Sequence, residues 1–455
     1  MIHPTALDLS GQIARRDLSA VDLMQTTLTR IAAVNPGVNA IVSLRDPDIL
    51  LAEAAAADQA PRKGWLHGIP FAIKDLADVQ GLPTTQGSPA FTSNIAPADD
   101  LMVSRLRAAG AIIIGKTNTP EFGLGSHTFN PVFGPTRNAF DPTKSAGGSS
   151  GGAAVALATG MVCVADGSDM MGSLRNPAGW NAIYGFRPTW GRVPGGPEGD
   201  SFLHQLSTNG PMARNPADIA ALLDTMAGPD PRLPLALPFT PMLPQINAPV
   251  SGRRIGWLGD WGGAYPMEPG ILDTCGTALT RFADLDCPVD PVPAPFPANL
   301  LWQSWTTLRS WAVAASLGPL LDQGHILKPE AIWEVEQGRS LTASAIHAAS
   351  LIRSDWFRAC AALFDHYDAL VLPSAQVWPF PVDWRWPQNI AGVTMDSYHR
   401  WMEVVIPVSL IGLPCLCVPA GFGAANLPIG LQFIGRRGAD AAVLQLGQAW
   451  HQATA

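Results

Sequence analysis

Apolar residues recur along this chain at helical spacing, and the helical segments alternate with short apolar runs. In residues 19–34 the apolar positions follow Ser19, a polar residue suited to cap a helix N-terminus. Similar patterns predict helices over residues 46–57, 101–109, 151–161, 268–284, 441–452, much of 300–366, and the part of 211–227 that follows Asn215. Apolar runs predict strands over residues 69–73, 111–114, 162–165, 255–258, 370–373, 415–419 and 429–434. Alternation of strands with helices indicates an α/β fold.

The densest run of glycine and serine contains two turns. Ser149 and Ser150 lie between glycines in the first turn, and Ser173 follows Gly172 in the second. Glycine lets backbone N–H groups approach a substrate closely, so a serine in such a turn can act as a nucleophile beside N–H groups that bind a developing oxyanion. A helix that begins near Leu174 would place Ser173 at a helix N-terminus, where negative charge is favoured.

Lys74 closes the apolar strand predicted over residues 69–73. A lysine at this position can extend to the surface, and position alone leaves that interpretation open. Alternatively, burial would destabilise the ammonium and leave a neutral amine near neutral pH. None of the nine histidines stands in a recognisable triad motif. A neutral lysine is therefore a candidate proton acceptor for a serine nucleophile, with a second serine passing the proton between them.

Composition limits the classes of function. Of the 455 residues, 47% are hydrophobic and 15% are charged, which allows a large core and argues against extensive disorder. The net charge is −8 and no basic cluster exceeds a pair, so we expect no nucleic-acid partner. The N-terminus lacks a signal-peptide pattern, and no run of about 18 apolar residues is present to span a membrane.

The six cysteines are scattered and form no C-x-x-C pair. We interpret them as free thiols in a reduced compartment and expect a cytoplasmic protein. Cys415 and Cys417 are two residues apart in a predicted strand, so their side chains should face the same side. No His or carboxylate group has metal-ligand spacing, and we expect neither a metal nor another cofactor.

Six motifs together resemble those of the amidase signature family. They are GIPFAIKD, FGPTRNAFDP, GGSSGG, GSLRNPA, YGFRPTWGR and LPIGLQFIG. A glycine-serine run alone also occurs in linkers and phosphate-binding loops, but the Lys-Ser or Lys-Thr pair of a P-loop does not follow these glycines. The resemblance implies an α/β amidase signature fold, with a central mixed β-sheet covered by helices on both faces. It also implies a single amidase domain over residues 1–455, with its core in residues 60–225 and 366–455 and a variable, Trp-rich helical segment over about 228–400.

By matching position, the resemblance implies a Ser-Ser-Lys triad. Ser173 would be the nucleophile that accepts the acyl group, and Ser149 the bridging serine at a cis peptide bond. Lys74 would be the general base and then the acid that protonates the leaving amine. Ser150 would form hydrogen bonds within the site.

The resemblance also implies roles for the residues around the triad. The oxyanion hole would be formed by the backbone N–H groups of Met170, Met171, Gly172 and Ser173. The acyl pocket would be lined by Gly123, Gly125, Ser126 and His127. Asp169 and Arg175, on either side of the nucleophile loop, would be structural partners.

Met171 departs from the family pattern, which usually has two glycines before the nucleophile. A methionine cannot adopt glycine-like backbone angles without cost, although its N–H remains available. Its side chain would either narrow the acyl pocket or pack beneath it. This weakens any transfer of substrate specificity from the family.

Eleven of the 15 tryptophans lie between Trp257 and Trp401. Core packing explains such a cluster, and so does an aromatic wall around an apolar substrate. On the second interpretation, we expect an amidase that acts on aryl or bulky apolar amides through an acyl-enzyme.

The resemblance leaves other functions open. The chain could be the amidase-like subunit of a glutamine-dependent tRNA amidotransferase, which would hydrolyse glutamine and pass ammonia to a partner. It could also be a binding protein that kept the fold without the chemistry. We expect a small-molecule amide as the substrate, no membrane partner, and a homodimer as a further possibility.

Overall fold

The computed structural model describes residues 4–196 and 199–454, which form fourteen α-helices. In the first half of the chain these are α1 (Ala6–Arg15), α2 (Ala20–Val38), α3 (Pro47–Gln59), α4 (Leu101–Ala108), α5 (Gly151–Ala158), α6 (Arg175–Trp180) and α7 (Pro216–Met226). In the second half they are α8 (Ile271–Leu279), α9 (Arg281–Asp284), α10 (Ala298–Asp322), α11 (Pro329–Arg339), α12 (Ala343–Leu363), α13 (Ile406–Ile411) and α14 (Asp440–Thr454). Ser19 caps α2 by accepting a hydrogen bond from the N–H of Asp22, which confirms the predicted cap.

The same described residues form thirteen β-strands. The first seven are β1 (Ile41–Val42), β2 (Pro70–Lys74), β3 (Ile112–Thr117), β4 (Val164–Asp169), β5 (Tyr184–Arg187), β6 (Thr208–Ala213) and β7 (Ile255–Trp257). The others are β8 (Val289–Pro291), β9 (Ala369–Pro373), β10 (Asn389–Ile390), β11 (Val393–Thr394), β12 (Cys415–Phe422) and β13 (Pro428–Ile434).

The largest sheet has eight strands in the order β4-β6-β5-β12-β13-β9-β7-β8. Strand β12 pairs antiparallel with both β13 and β5, whereas β7 runs parallel to β8 and β9. The sheet is therefore mixed, as predicted. Strand β4 lies at one edge of this sheet, and the short segment that carries Ser173 follows directly after it.

Helices cover both faces of this sheet. Leu416 on β12 faces α14, because a Cβ added to Gly447 would lie 2.1 Å from its side chain. The next residue, Cys417, faces α6, since its sulfur lies close to Gly430 near Gly179. Successive strand residues point to opposite faces, so the two helices lie on opposite sides. The α/β fold with a helix-covered mixed sheet is confirmed.

Two of the predicted strands belong to a second, three-stranded sheet of order β1-β3-β2. Strand β2 runs parallel to β3, with Lys74 opposite Thr117. The two sheets meet where β2 packs on β4, and the backbone N–H of Lys74 donates to Oδ1 of Asp166 at 3.0 Å. This contact brings the end of β2 close to β4.

The apolar pattern does not predict strands β5 and β6. Strand β6 has the sequence TNGPMA, in which Gly and Pro usually weaken a strand. It forms because six residues of β4 pair with it, up to Asp169 opposite Thr208. The same pairing extends β4 into polar residues beyond the predicted end at residue 165.

The tryptophans mainly fill the core. Six of them are almost fully buried: Trp180, Trp261, Trp305, Trp356, Trp401 and Trp450. The six cysteines are also buried and free, as predicted. Across residues 4–196 and 199–454, no helix is both long and apolar enough to cross a bilayer.

Candidate active site

Asp169 anchors the loop that carries Ser173. Its carboxylate accepts hydrogen bonds from the N–H groups of Gly172 (2.9 Å) and Leu174 (3.1 Å). It also forms ion pairs with the guanidinium groups of Arg175 (3.0 Å) and Arg187 (3.1 Å). Burial alone would raise the pKa of Asp169, but the two adjacent cations hold that pKa well below its usual range. Asp169 and Arg175 are thus structural partners, as expected.

Lys74 is buried with 1% of its surface exposed, so the interpretation as a surface lysine is wrong. Its Nζ atom donates to Oγ of Ser149 at 2.7 Å and to Oγ of Ser150 at 2.9 Å. Oγ of Ser168 accepts a third hydrogen bond at 3.1 Å. Burial lowers the pKa of Lys74 to about 7, against the opposing effect of the nearby carboxylates of Asp166 and Asp169. A substantial fraction of the amine is therefore neutral near neutral pH.

The two glycine-serine turns meet in space. The Gly148–Ser149 peptide bond is cis, and the N–H of Ser150 donates to the carbonyl of Ser173 at 3.3 Å. Ser149 and Ser173 line the same cleft, whereas Ser150 lies behind it, fully buried. The structure therefore brings together all three members of the predicted triad.

The predicted oxyanion donors differ in availability. The N–H of Gly172 already donates to Asp169, so the prediction that it faces an oxyanion is wrong for this conformation. The N–H groups of Met170, Met171 and Ser173 have no hydrogen-bond acceptor within the described part of the chain. These three donors remain free to bind a substrate oxygen.

Met171 does not occupy a glycine-like backbone conformation. In this loop Gly172 takes the left-handed conformation, with φ 82°, and a Cβ there would lie 2.9 Å from Val405. The side chain of Met171 is 3% exposed and belongs to the large apolar core. Of the two expectations for this side chain, it packs beneath the loop and does not narrow the cleft. Its neighbour Met170 lines the cleft instead.

The cleft has a volume of about 390 Å³ and a largely apolar wall. Helix α10 supplies Val313, Leu317 and Leu320. The rest of the apolar wall comes from Leu76, Phe91, Phe122, Leu124 and Met170. The described lining residues include no tryptophan, so the aromatic wall expected from the tryptophan cluster is wrong. The aromatic side chains are instead Phe91 and Phe122, whose rings meet edge to face at 6.3 Å.

Only part of the predicted acyl pocket lies at this cleft. Gly123 lines it, but Gly125, Ser126 and His127 line a separate small cavity beside Tyr398. His127 is held there by hydrogen bonds to Ser145 and to the carbonyl of Val382. Burial lowers the pKa of His127 to about 4, which keeps the ring neutral. The prediction misplaces these three residues because the chain turns away from the cleft after Leu124.

The apolar sequence around Arg309 contains no motif, and the sequence analysis missed this residue. It lines the cleft from α10 with a side chain that is 3% exposed, and it forms an ion pair with Glu334 at 2.6 Å. A lone arginine between Leu308 and Trp311 was the only available signal. In residues 4–196 and 199–454, no group of three His, Cys, Asp or Glu side chains could hold a metal ion.

Comparison with known proteins identifies related chains. The family model named Amidase matches residues 22–444. An acylamidase of Rhodococcus erythropolis is 33% identical over 97% of this chain and 93% of its own length. A glutamyl-tRNA(Gln) amidotransferase subunit of Chloroflexus aurantiacus is 34% identical over 99% and 97%. The crystal structure of a bacterial aryl acylamidase of the amidase signature family superposes with a TM-score of 0.92 at 29% identity, covering 100% of this chain and 97% of the other.

Proposed function

Because this chain belongs to the amidase family, we propose that it hydrolyses carboxamides through a serine acyl-enzyme formed by Ser173, Ser149 and Lys74. The observation that carries the proposal is the 2.7 Å contact between Nζ of Lys74 and Oγ of Ser149, at a cleft that Ser173 also lines. A buried lysine with a pKa of about 7 can accept a proton near neutral pH.

In the proposed reaction, neutral Lys74 takes the proton of Ser149, which in turn takes the proton of Ser173. The Ser173 oxygen attacks the amide carbon, and the carbonyl oxygen becomes an oxyanion. The unpaired N–H groups of Met170, Met171 and Ser173 donate to that oxyanion.

The proton then passes from Lys74 through Ser149 to the amide nitrogen, and the amine leaves. Water attacks the acyl-enzyme by the same proton route and releases the carboxylic acid. General acid–base catalysis of this kind contributes about 10²- to 10⁴-fold in rate.

The cleft supports an apolar amide as the substrate class. Its wall of Leu and Phe side chains buries apolar surface, at roughly 25 cal/mol per Å². None of the described lining residues is Asp or Glu, so no carboxylate in the cleft pairs with the ammonium of glutamine. We therefore favour aryl or bulky apolar amides, with the chain acting without a partner protein.

The amidotransferase function is the second candidate, because the amidotransferase relatives are equally similar to this chain. That function requires glutaminase activity and partner subunits. Purified protein that hydrolyses glutamine faster than any apolar amide, or that copurifies with two further subunits, would favour it.

The test is amine release from a panel of aryl and aliphatic amides by wild type and Ser173→Ala. We expect wild type to hydrolyse apolar amides and Ser173→Ala to lose at least about 10³-fold in kcat. Ser354→Ala, which removes a serine hydroxyl from α12 that bonds only to the Ser350 carbonyl, is the matched control. Equal activity in Ser173→Ala and wild type would contradict the assignment of the nucleophile.

A further inference from the structure

Arg309 is a buried cation at the cleft whose hydrogen bonds are unevenly satisfied. Its Nε atom donates to Oε1 of Glu334 at 2.6 Å, and its Nη2 atom donates to the hydroxyl of Tyr398 at 2.8 Å. The Tyr398 hydroxyl donates to the same Glu334 oxygen at 2.6 Å. Two sides of the guanidinium are therefore fixed by strong oxygen acceptors.

The remaining side of Arg309 faces the oxyanion loop. Its Nη1 atom has Sδ of Met170 as its hydrogen-bond acceptor, at 3.3 Å. A thioether sulfur is a weak acceptor, and within the described residues Nη1 has no oxygen partner. Since Arg309 and Met170 both line the cleft, a substrate oxygen could take the place of this weak contact.

The charge of Arg309 is already balanced. Glu334 is fully buried and lies 2.6 Å from the guanidinium, so the pair brings no net charge to the cleft. A carboxylate on the substrate would add a third charge to a buried and balanced pair, which carries a desolvation penalty. A neutral oxygen acceptor carries a much smaller penalty and still satisfies the free N–H.

We propose that Arg309 selects amides that carry a second, neutral oxygen acceptor in addition to the scissile carbonyl. The ligand class is an apolar amide with one ether, carbonyl or hydroxyl oxygen that reaches Nη1. This inference rests on the proposed amidase function and adds a specificity-determining residue to it.

The test uses pairs of amides in which an oxygen replaces a methylene. Phenoxyacetanilide and 3-phenylpropionanilide vary the acyl side, and 4-methoxyacetanilide and 4-ethylacetanilide vary the amine side. For each pair the readout is the ratio of kcat/KM values, in wild type and in Arg309→Met/Glu334→Gln. Dividing one ratio by the other cancels the intrinsic reactivity of the compounds. The double substitution avoids leaving Glu334 buried without its cation.

We expect the double variant to lose about tenfold of the oxygen preference in at least one pair, the size typical of a hydrogen bond to a charged donor. A role in packing alone would lower both members of a pair equally and leave the ratio unchanged. Arg309→Lys keeps the ion pair but lacks the guanidinium fork. It should lose at least about threefold of the preference, and it decides the question if the double variant fails to fold.

The outcomes separate this inference from the function on which it rests. Hydrolysis with ratios unchanged in the variants would overturn only the role of Arg309. A wild type that prefers a matched carboxylate-bearing amide over the ether would overturn the neutral-acceptor class. A folded wild type that hydrolyses no amide in the panel would overturn the proposed function and this inference with it.

Discussion

Met170 and Met171 are neighbours in the chain, but their side chains lie in different environments. Met170 lines the cleft and accepts a hydrogen bond from Arg309. Met171 is 3% exposed in the apolar core beneath the loop. The departure from the double-glycine pattern at residue 171 therefore alters core packing, and the side chain that can contact a substrate is the preceding one.

The first prediction concerns this pair. Met171→Ala should lower the free energy of unfolding by about 2–5 kcal/mol, because it leaves a cavity in the core. Thermal or denaturant unfolding measures this loss. Met170→Ala, at the cleft, should change the ratio of kcat/KM between large and small amides while costing less stability. Larger selectivity changes in Met171→Ala than in Met170→Ala would contradict the structural assignment.

Ser149 and Ser150 both accept a hydrogen bond from Lys74, but only Ser149 lines the cleft. If Ser149 passes the proton, Ser149→Ala should lower kcat by about 10²- to 10⁴-fold. Ser150→Ala removes a matched hydroxyl that cannot reach a substrate, and we expect a much smaller loss of about tenfold or less. Single-turnover acylation rates on an activated anilide measure both effects. Equal losses would mean that Ser149 serves only to hold Lys74 in place.

Asp169 is expected to control both stability and the shape of the loop. Asp169→Asn would leave Arg175 and Arg187 buried without their counter-charge, at a cost of about 3–5 kcal/mol in unfolding free energy. It would also weaken the bonds to the loop N–H groups, so kcat per folded molecule should fall.

Asp440→Asn provides the control for Asp169, because Asp440 is also buried and pairs with Arg192 at 3.2 Å. It accepts hydrogen bonds from Thr189 and does not line the cleft. We expect it to lower stability with little change in kcat per folded molecule. Loss of kcat in both variants to the same degree would show that the effect follows from stability alone.

The sequence predicts those features that depend on local pattern. Motifs locate the lysine at the end of an apolar strand and the serines in glycine turns, and the structure places Lys74 2.7 Å from Ser149, 75 residues away. The features that the sequence does not reveal depend on distant partners. Strand β6 forms only because β4 pairs with it. Arg309 contacts Met170 across 139 residues of chain, and no local pattern encodes that proximity.

The tryptophan cluster shows the limit of composition as evidence for a site. Trp180 stacks on Trp401 at 5.8 Å, and Trp261 meets Trp356 edge to face at 5.5 Å. These rings pack on one another in the core, whereas two phenylalanines far from the cluster in sequence line the cleft. Large aromatic side chains stabilise cores and bind ligands by the same burial of apolar surface, so their number alone does not separate the two roles.

The pH dependence of the reaction should report the charge state of Lys74. Burial lowers the pKa of Lys74 to about 7, and only the neutral amine can accept a proton. The rate, as kcat/KM, should therefore rise with pH through an inflection near 7 and fall about tenfold for each unit below it. A profile that is flat between about pH 6 and 8, or an acidic optimum, would contradict the role of Lys74 as the base.

Asp166 provides a sharper form of this prediction, because its charge raises the pKa of Lys74. Asp166→Asn removes that charge, while the Asn oxygen can still accept the backbone N–H of Lys74. Without the carboxylate the ammonium is less stable, so the inflection should move to lower pH. Asp75→Asn removes another buried carboxylate, one that pairs with Lys116 at 3.7 Å, and should leave the inflection in place. An inflection that does not move in Asp166→Asn, or that moves equally in both variants, would mean that a group other than Lys74 controls the profile.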